Sequence, residues 1–296
     1  VTRTVGRPSM PEGDTVWRQA RDLHGALAGQ PLTGCDFRVP QLATVDFTGR
    51  TVESVQPRGK HLMMMLPARG PAEGAAVIHS HLAMEGHWDI YPVRNATQPP
   101  TGPRTGRGGE WRRPSHTARV VLTTERLVAV GFSLGTLEVL SPAQAAAAVE
   151  HLGPDLLGPD WDADEALRRL HADPQRPVGL ALLDQRSLAG IGNIYRNELC
   201  FLAGVHPSMP VGGVPRLPRL VELAKRLLEA NKDRPQRSTT GGPARGDASV
   251  WVYGLAGKPC KRCGSLIRHA KMADPAAPTH APRDIYWCPN CQALPE

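Results

Sequence analysis

Val16, Ala20, Leu23 and Leu27 fall on one face of a 3.6-residue repeat and predict a helix over residues 14–28, capped by Asp14 or Thr15 and closed by Gly29. Beyond it the apolar period shortens. Ala43–Phe47 and Thr51–Val55, joined by Thr48-Gly49-Arg50, read as short strands. So do Lys60–Leu66, Ala75–Leu82, Ala118–Thr124, Leu127–Gly131 and Thr136–Leu140. Turn signals between these runs predict a β-sandwich. The stretch between Val93 and Arg113 is rich in Pro, Gly and Arg, lacks any period, and reads as a mobile basic loop. Helical signals return at Ser141-Pro142, an N-cap with proline at the first helical position, followed by Ala143–Leu152. Gly153-Pro154-Asp155 and Gly158-Pro159-Asp160 mark a linker, and Asp164–Leu170, Val178–Leu183, Ile194–Leu202 and Leu217–Ala230 complete a helical half. Residues 235–249 read as a second flexible loop. The predicted fold class is α+β and multidomain, with a β-rich half, a helical half and a small cysteine-bearing tail, divided as 10–140, 141–253 and 254–296.

At 296 residues the chain exceeds one typical domain, in keeping with that division. Lys plus Arg outnumber Asp plus Glu by 35 to 28, a mild excess that suits a polyanionic partner without specifying one. The longest apolar run, Leu62–Leu66, is far short of a membrane span, so no membrane partner is expected. Val1–Ser9 lacks the apolar segment of a secretory signal, and the cytoplasm is the expected compartment. Six cysteines in that setting argue for metal rather than disulfides.

Four of them form two Cys-x-x-Cys pairs, Cys260/Cys263 and Cys288/Cys291, separated by 24 residues. That spacing suits one structural zinc ion held by four thiolates, with no open position for a substrate. A module of under ~40 residues rarely folds without such a staple. A disulfide or redox pair is the competing reading. Lys258, Lys261, Arg262, Arg268 and Lys271 surround the pairs with no acid between Gly254 and Ala273, a patch suited to phosphates or simply a solvated face. Cys35 and Cys200 read as buried apolar residues.

Leu182–Glu198 reads as helix, glycine-rich turn and helix. Gly190 and Gly192 permit close backbone approach, and the free N–H groups of the second helix make an anion site to which Asn193 adds a donor. A tight turn alone would also explain the glycines. The last local signal is Met10-Pro11-Glu12-Gly13. If Met10 is removed, Pro11 carries a secondary amine whose pKa lies near the ~7.7–8.0 of an α-amino group, whereas a proline nitrogen within a chain is an amide without nucleophilicity. Val1–Ser9 reads as translation from an upstream GTG codon, with Met10 the expected start.

From Met10 to Gln292 these motifs occur together in an order that resembles the formamidopyrimidine-DNA glycosylase/endonuclease VIII family of bacterial base-excision repair enzymes. The resemblance rests on Pro11-Glu12-Gly13, Gly59-Lys60, Gly190-Ile191-Gly192-Asn193-Ile194-Tyr195, Val252-Tyr253-Gly254 before the first cysteine pair, and Arg283 followed by Trp287-Cys288-Pro289-Asn290-Cys291-Gln292. It implies a catalytic β-sandwich, a helix–two-turns–helix DNA-binding domain and a C-terminal β-hairpin zinc finger. It further implies that Pro11 attacks deoxyribose C1′ to form an iminium, with Glu12 as acid and base and Lys60 on a phosphate beside the lesion. Asn193, Gly190, Gly192, Arg283, Lys261 and Arg268 would meet the DNA backbone. Met84, in His81–Gly86, would fill the gap left by a flipped nucleotide.

Some positions depart from the family pattern. Phe132-Ser133-Leu134-Gly135 stands where the purine-directed branch carries Arg-Arg-Phe, Thr15 replaces a glutamate, Leu255 replaces an arginine, and the cysteine spacer is extended by Ala273–Ala281. The resemblance therefore implies a bifunctional glycosylase and AP lyase for oxidised pyrimidines, cleaving by β/δ-elimination. It would act as a monomer on duplex, bubble or single-stranded damaged DNA, in a bacterial cytoplasm at the nucleoid. The rivals are a glycosylase for 8-oxoguanine and formamidopyrimidines, and a non-catalytic damaged-DNA-binding protein if Pro11 is not the first residue.

Overall fold

The apolar stripe of the first helix, α1 (Gly13–Leu27), supplies Val16, Ala20, Leu23 and Leu27 to a core shared with two sheets. The structure is a computed structural model that describes residues 10–70, 73–93, 111–242, 246–279 and 281–294. Val1–Ser9, with the expectation about the start, and nearly all of the basic stretch after Val93 lie outside those residues. The chain forms two units, one of Val16–Glu150 and one that joins Val1–Thr15 to His151–Glu296.

In the first of these, β1 (Gly34–Phe37), β2 (Ser54–Arg58), β3 (His61–Leu66), β4 (Ala76–His81) and β5 (His87–Pro92) precede β6 (Ala118–Thr123), β7 (Leu127–Phe132) and β8 (Thr136–Leu140). They make two four-stranded antiparallel sheets, ordered β1-β6-β7-β5 and β2-β3-β4-β8. Alternate residues such as Val120 and Leu122 enter the core between the sheets, as a sandwich requires. A strand over Ala43–Phe47 does not form. Val39 leads into a 3-10 turn at Pro40–Leu42, and Leu42 and Phe47 enter the core from an irregular segment. The helix α2 (Pro142–Val149), opened by a Ser141/Gln144 capping box, packs on β4 and β8 and ends before Leu152.

The other unit contains α3 (Ala163–His171), α4 (Val178–Ala181), α5 (Asn193–Ala203) and α6 (Leu217–Asn231) around one apolar cluster. A hairpin of β9 (Arg268–Met272) and β10 (Arg283–Trp287) follows, with Ile267, Ile285, Val252 and Leu255 packed on Phe201 of α5. Among the described residues no helix is long and apolar enough to cross a membrane.

Candidate active site and cysteine cluster

Glu12 is 1% exposed, an expensive place for a carboxylate without donors. The turn before α5 supplies them. The backbone N–H of Ile194 donates to its Oε1 at 2.6 Å, and those of Gly192 and Tyr195 donate to Oε2 at 2.9 and 3.2 Å. The helix macrodipole adds to the same attraction. The anion site read from the sequence is thus occupied by the chain's own carboxylate, already tethered beside Pro11. Gly192 is required by space: a Cβ there would stand 2.5 Å from Glu12 Cδ. Gly13 likewise approaches Gly190, donating its N–H to the Gly190 carbonyl at 2.9 Å.

Asp14 lies inside the first turn of α1 instead of capping it, because its carboxylate is engaged elsewhere. Arg237 Nε donates to Asp14 Oδ2 at 2.8 Å, and its Nη2 bonds Oδ1. The Tyr195 hydroxyl donates to Oδ2 at 2.9 Å, and the guanidinium lies 4.7 Å from the Tyr195 ring centre. Burial pushes the Asp14 carboxyl up, but the Arg237 charge and these hydrogen bonds prevail and hold it below the ordinary carboxylate range. The segment read as a flexible loop therefore contributes a buried cation to the start of α1.

The other faces of α5 hold the hairpin and the segment leading to it. Asn197 Oδ1 accepts the Tyr286 N–H at 2.7 Å, and Arg196 Nη2 donates to the Asp284 carbonyl at 2.9 Å. Glu198 is wholly buried. It accepts the N–H groups of Trp251, Val252 and Tyr253 at 2.7, 3.0 and 2.9 Å, together with the Thr239 hydroxyl. Asn193, expected to reach phosphate, donates to the Asp284 carbonyl at 3.1 Å, accepts from Arg196 and bonds Tyr253. Its amide is spent inside the protein.

Cys260, Cys263, Cys288 and Cys291 bring their four Sγ atoms within 4.8 Å of one another. A tetrahedron of thiolates around one ion with Zn–S near 2.3 Å has edges of about 3.8 Å, so the cluster fits one such ion. All six cysteines are free, and burial pushes Cys200 up to about 12 and Cys35 up to about 11, thiols without thiolate character at neutral pH. The basic patch around the cluster is less available than its sequence suggests. Lys258 pairs with Asp247, Lys261 donates to the carbonyls of Asp247 and Val250, and Arg262 lies over Phe201. Arg268, Lys271 and Arg283 are exposed on the hairpin.

In the sandwich unit, Lys60 stands in the turn between β2 and β3 and not on a strand, next to Gly59 in the left-handed region at φ 58°. Met84 is 51% exposed at the turn after β4, with Ala83 at φ 52°. Behind them runs a polar relay absent from the sequence reading: His61 Nδ1 lies 2.9 Å from His79 Nε2, and His79 Nδ1 lies 3.0 Å from Glu138. Burial, then Lys60 and then His79 hold the neighbouring His81 down at about 4.

Two family models match this chain, the formamidopyrimidine-DNA glycosylase N-terminal domain over residues 10–132 and the formamidopyrimidine-DNA glycosylase H2TH domain over residues 152–230. A probable endonuclease 8 2 from Streptomyces coelicolor is 53% identical over 288 residues, 97% of this chain and 95% of the relative. A DNA-(apurinic or apyrimidinic site) lyase Nei2 from Mycolicibacterium smegmatis is 45% identical over 283 residues, 96% of this chain and 99% of the relative. Among solved structures, Lactococcus lactis Fpg in complex with DNA containing an abasic site shares the fold with a TM-score of 0.72. The match covers 96% of this chain and 100% of that one, at 22% identity.

Proposed function

The chain belongs to the formamidopyrimidine-DNA glycosylase/endonuclease VIII family, and on that premise we propose that it is a bifunctional DNA glycosylase and AP lyase for oxidised pyrimidines, with Pro11 as nucleophile in the form that begins there. The observation that carries the reading is the seat of Glu12: the residue next to Pro11 is locked by three N–H groups onto the first turn of α5. A carboxylate fixed in this way is preorganised for chemistry at a sugar held against Pro11. Its Oε1 accepts one N–H among the backbone bonds and keeps a lone pair for a proton.

The secondary amine of Pro11 attacks C1′ as the glycosidic bond breaks and the base leaves with a proton. Loss of the amine proton and opening of the sugar give a cationic iminium. That cation acidifies C2′–H; removal of this proton expels the 3′ phosphate, a further elimination expels the 5′ phosphate, and water releases Pro11. Glu12 exchanges protons at the sugar. Lys60, at the head of its hairpin, holds a phosphate, and the exposed Met84 fills the vacated stack. Arg268 and Arg283 take backbone phosphates, while Asn193 fixes the hairpin that carries them. The four cysteines hold one zinc ion, whose closed coordination serves folding of the finger. The 45–53% identity to endonuclease 8 and AP-lyase relatives, together with Phe132–Gly135 in place of an Arg-Arg-Phe sequence, favours oxidised pyrimidines over 8-oxoguanine.

The test is borohydride trapping on an oligonucleotide with an abasic site. Protein beginning at Pro11 should form a covalent adduct, lost in Pro11→Gly and in protein that retains Val1–Met10. No adduct from the Pro11 form would overturn the mechanism. Excision of 5-hydroxycytosine at least tenfold faster than 8-oxoguanine is expected, and the reverse ranking would overturn the substrate reading.

A further inference from the structure

Arg237 is 223 residues from Asp14 in the chain, yet its side chain is only 7% exposed and is turned onto the segment around Pro11 and onto Tyr195 of the helix that seats it. Nε and Nη2 fork onto the two Asp14 oxygens, Nη2 also donates to Thr15 Oγ1 at 3.2 Å, and Nη1 donates to the Met10 carbonyl at 3.4 Å. The same Nη1 lies 4.0 Å from Glu12 Oε1. The guanidinium thus grips the chain on both sides of Pro11. From Arg237 Nη1 to the Met10 oxygen, and across one C=O and one C–N bond, the Pro11 nitrogen is within about 6 Å of a permanent charge.

We infer that Arg237 is a positioning residue for the Pro11 amine, fixing the segment through Asp14 and Thr15 and offsetting the carboxylates of Glu12 and Asp14 so that the amine stays unprotonated near neutral pH. The inference rests on the reading of Pro11 as nucleophile. The charged and titratable groups of this unit that share the field are Glu12 and Asp14 from the chain start, Tyr195 and Arg196 from α5, Tyr253, and Arg237 itself. Tyr195 is held neutral, chiefly by burial and then by Asp14, and Asp14 is held anionic. Without Arg237 the amine would face two carboxylates with one cation fewer, a field that favours its protonated, non-nucleophilic form. When Met10 is absent, Nη1 also loses its carbonyl acceptor and stands as a free donor beside the amine.

The experiment follows the borohydride-trapping rate on an abasic oligonucleotide from pH 5 to 9, for full-length protein beginning at Pro11. Arg237→Gln should trap at least tenfold more slowly at pH 7, with the midpoint of its pH profile raised by about one unit and the rate recovered at high pH. Asp14→Asn/Arg237→Gln, which removes one charge of each sign, should return the midpoint toward that of the unsubstituted protein. A midpoint unchanged in Arg237→Gln, or a loss that neither high pH nor the double variant recovers, overturns the inference. Absence of any adduct from the unsubstituted protein overturns the nucleophile reading itself.

Discussion

Gly192→Ala isolates the seat of Glu12. Gly192 has φ −120° and ψ −162°, extended backbone open to any residue, so alanine meets no conformational barrier there. The obstacle is contact alone. The new Cβ would stand 2.5 Å from Glu12 Cδ, 2.6 Å from Cγ and 2.8 Å from Oε1, so the carboxylate must leave its three donors. Hydrogen bonds to a charged group contribute about 1.5–3 kcal/mol each, and water restores part of that once the group swings out. A net loss of about 3 kcal/mol is expected, whereas alanine for glycine at a helix N-cap costs about 1 kcal/mol or less by itself. The assay is a double-mutant cycle by urea unfolding with Glu12→Ala, which removes the atoms that clash. In that background Gly192→Ala should cost about 1 kcal/mol, giving a coupling of about 2 kcal/mol or more. Coupling below about 0.5 kcal/mol would refute the argument that Gly192 is present to admit the carboxylate. Both single variants should also lose base excision together, since each empties the same position.

The cysteine cluster should bind one zinc per chain by plasma mass spectrometry, and Cys288→Ser should lower metal content and DNA affinity together; a chain free of zinc with unchanged affinity would refute the assignment. His81 sets a pH dependence whose sign follows from its depressed value, caused first by burial and then by Lys60 and His79. The unfolded chain takes up the proton below about 6.5 and the native protein only near about 4, so stability is full above 6.5 and falls as the pH drops through that window. The fall should shrink in His81→Gln, and an unchanged slope between pH 6.5 and 4 would exclude His81 as its source.

Elements with a clean period are legible in the sequence: α1, α6 and strands such as β6 follow from apolar spacing alone. β5 was hidden because His87 and Asp89 interrupt its apolar face, and the supposed strand over Ala43–Phe47 failed because burial of Leu42 and Phe47 needs no ladder. The cysteine cluster was readable because the spacing of its pairs is local in the sequence. The anion site before α5 was readable as a type of site, but nothing in its own residues says which anion fills it. Arg237 could not be found at all. It sits among Pro, Gln, Ser and Thr, the composition of a surface loop, and its burial makes sense only beside Asp14, 223 residues away.

The split make-up of the unit that holds Glu12 also fixes an order of events during synthesis. Residues 10–15 leave the ribosome early, while Gly192–Tyr195 and then Arg237 emerge much later, Arg237 following Thr15 by 222 residues. At ordinary elongation rates that gap lasts roughly 10 to 45 s, while the intervening Val16–Glu150 is already available to fold. In a chain initiated at Met10, the start would therefore spend that interval unseated and open to the aminopeptidase that exposes proline. Once Arg237 arrives, its guanidinium donates to the Met10 carbonyl and to Asp14, and the segment is seated. On the reading of Pro11 as nucleophile, the residue and the arginine proposed to position it are made at opposite ends of that interval.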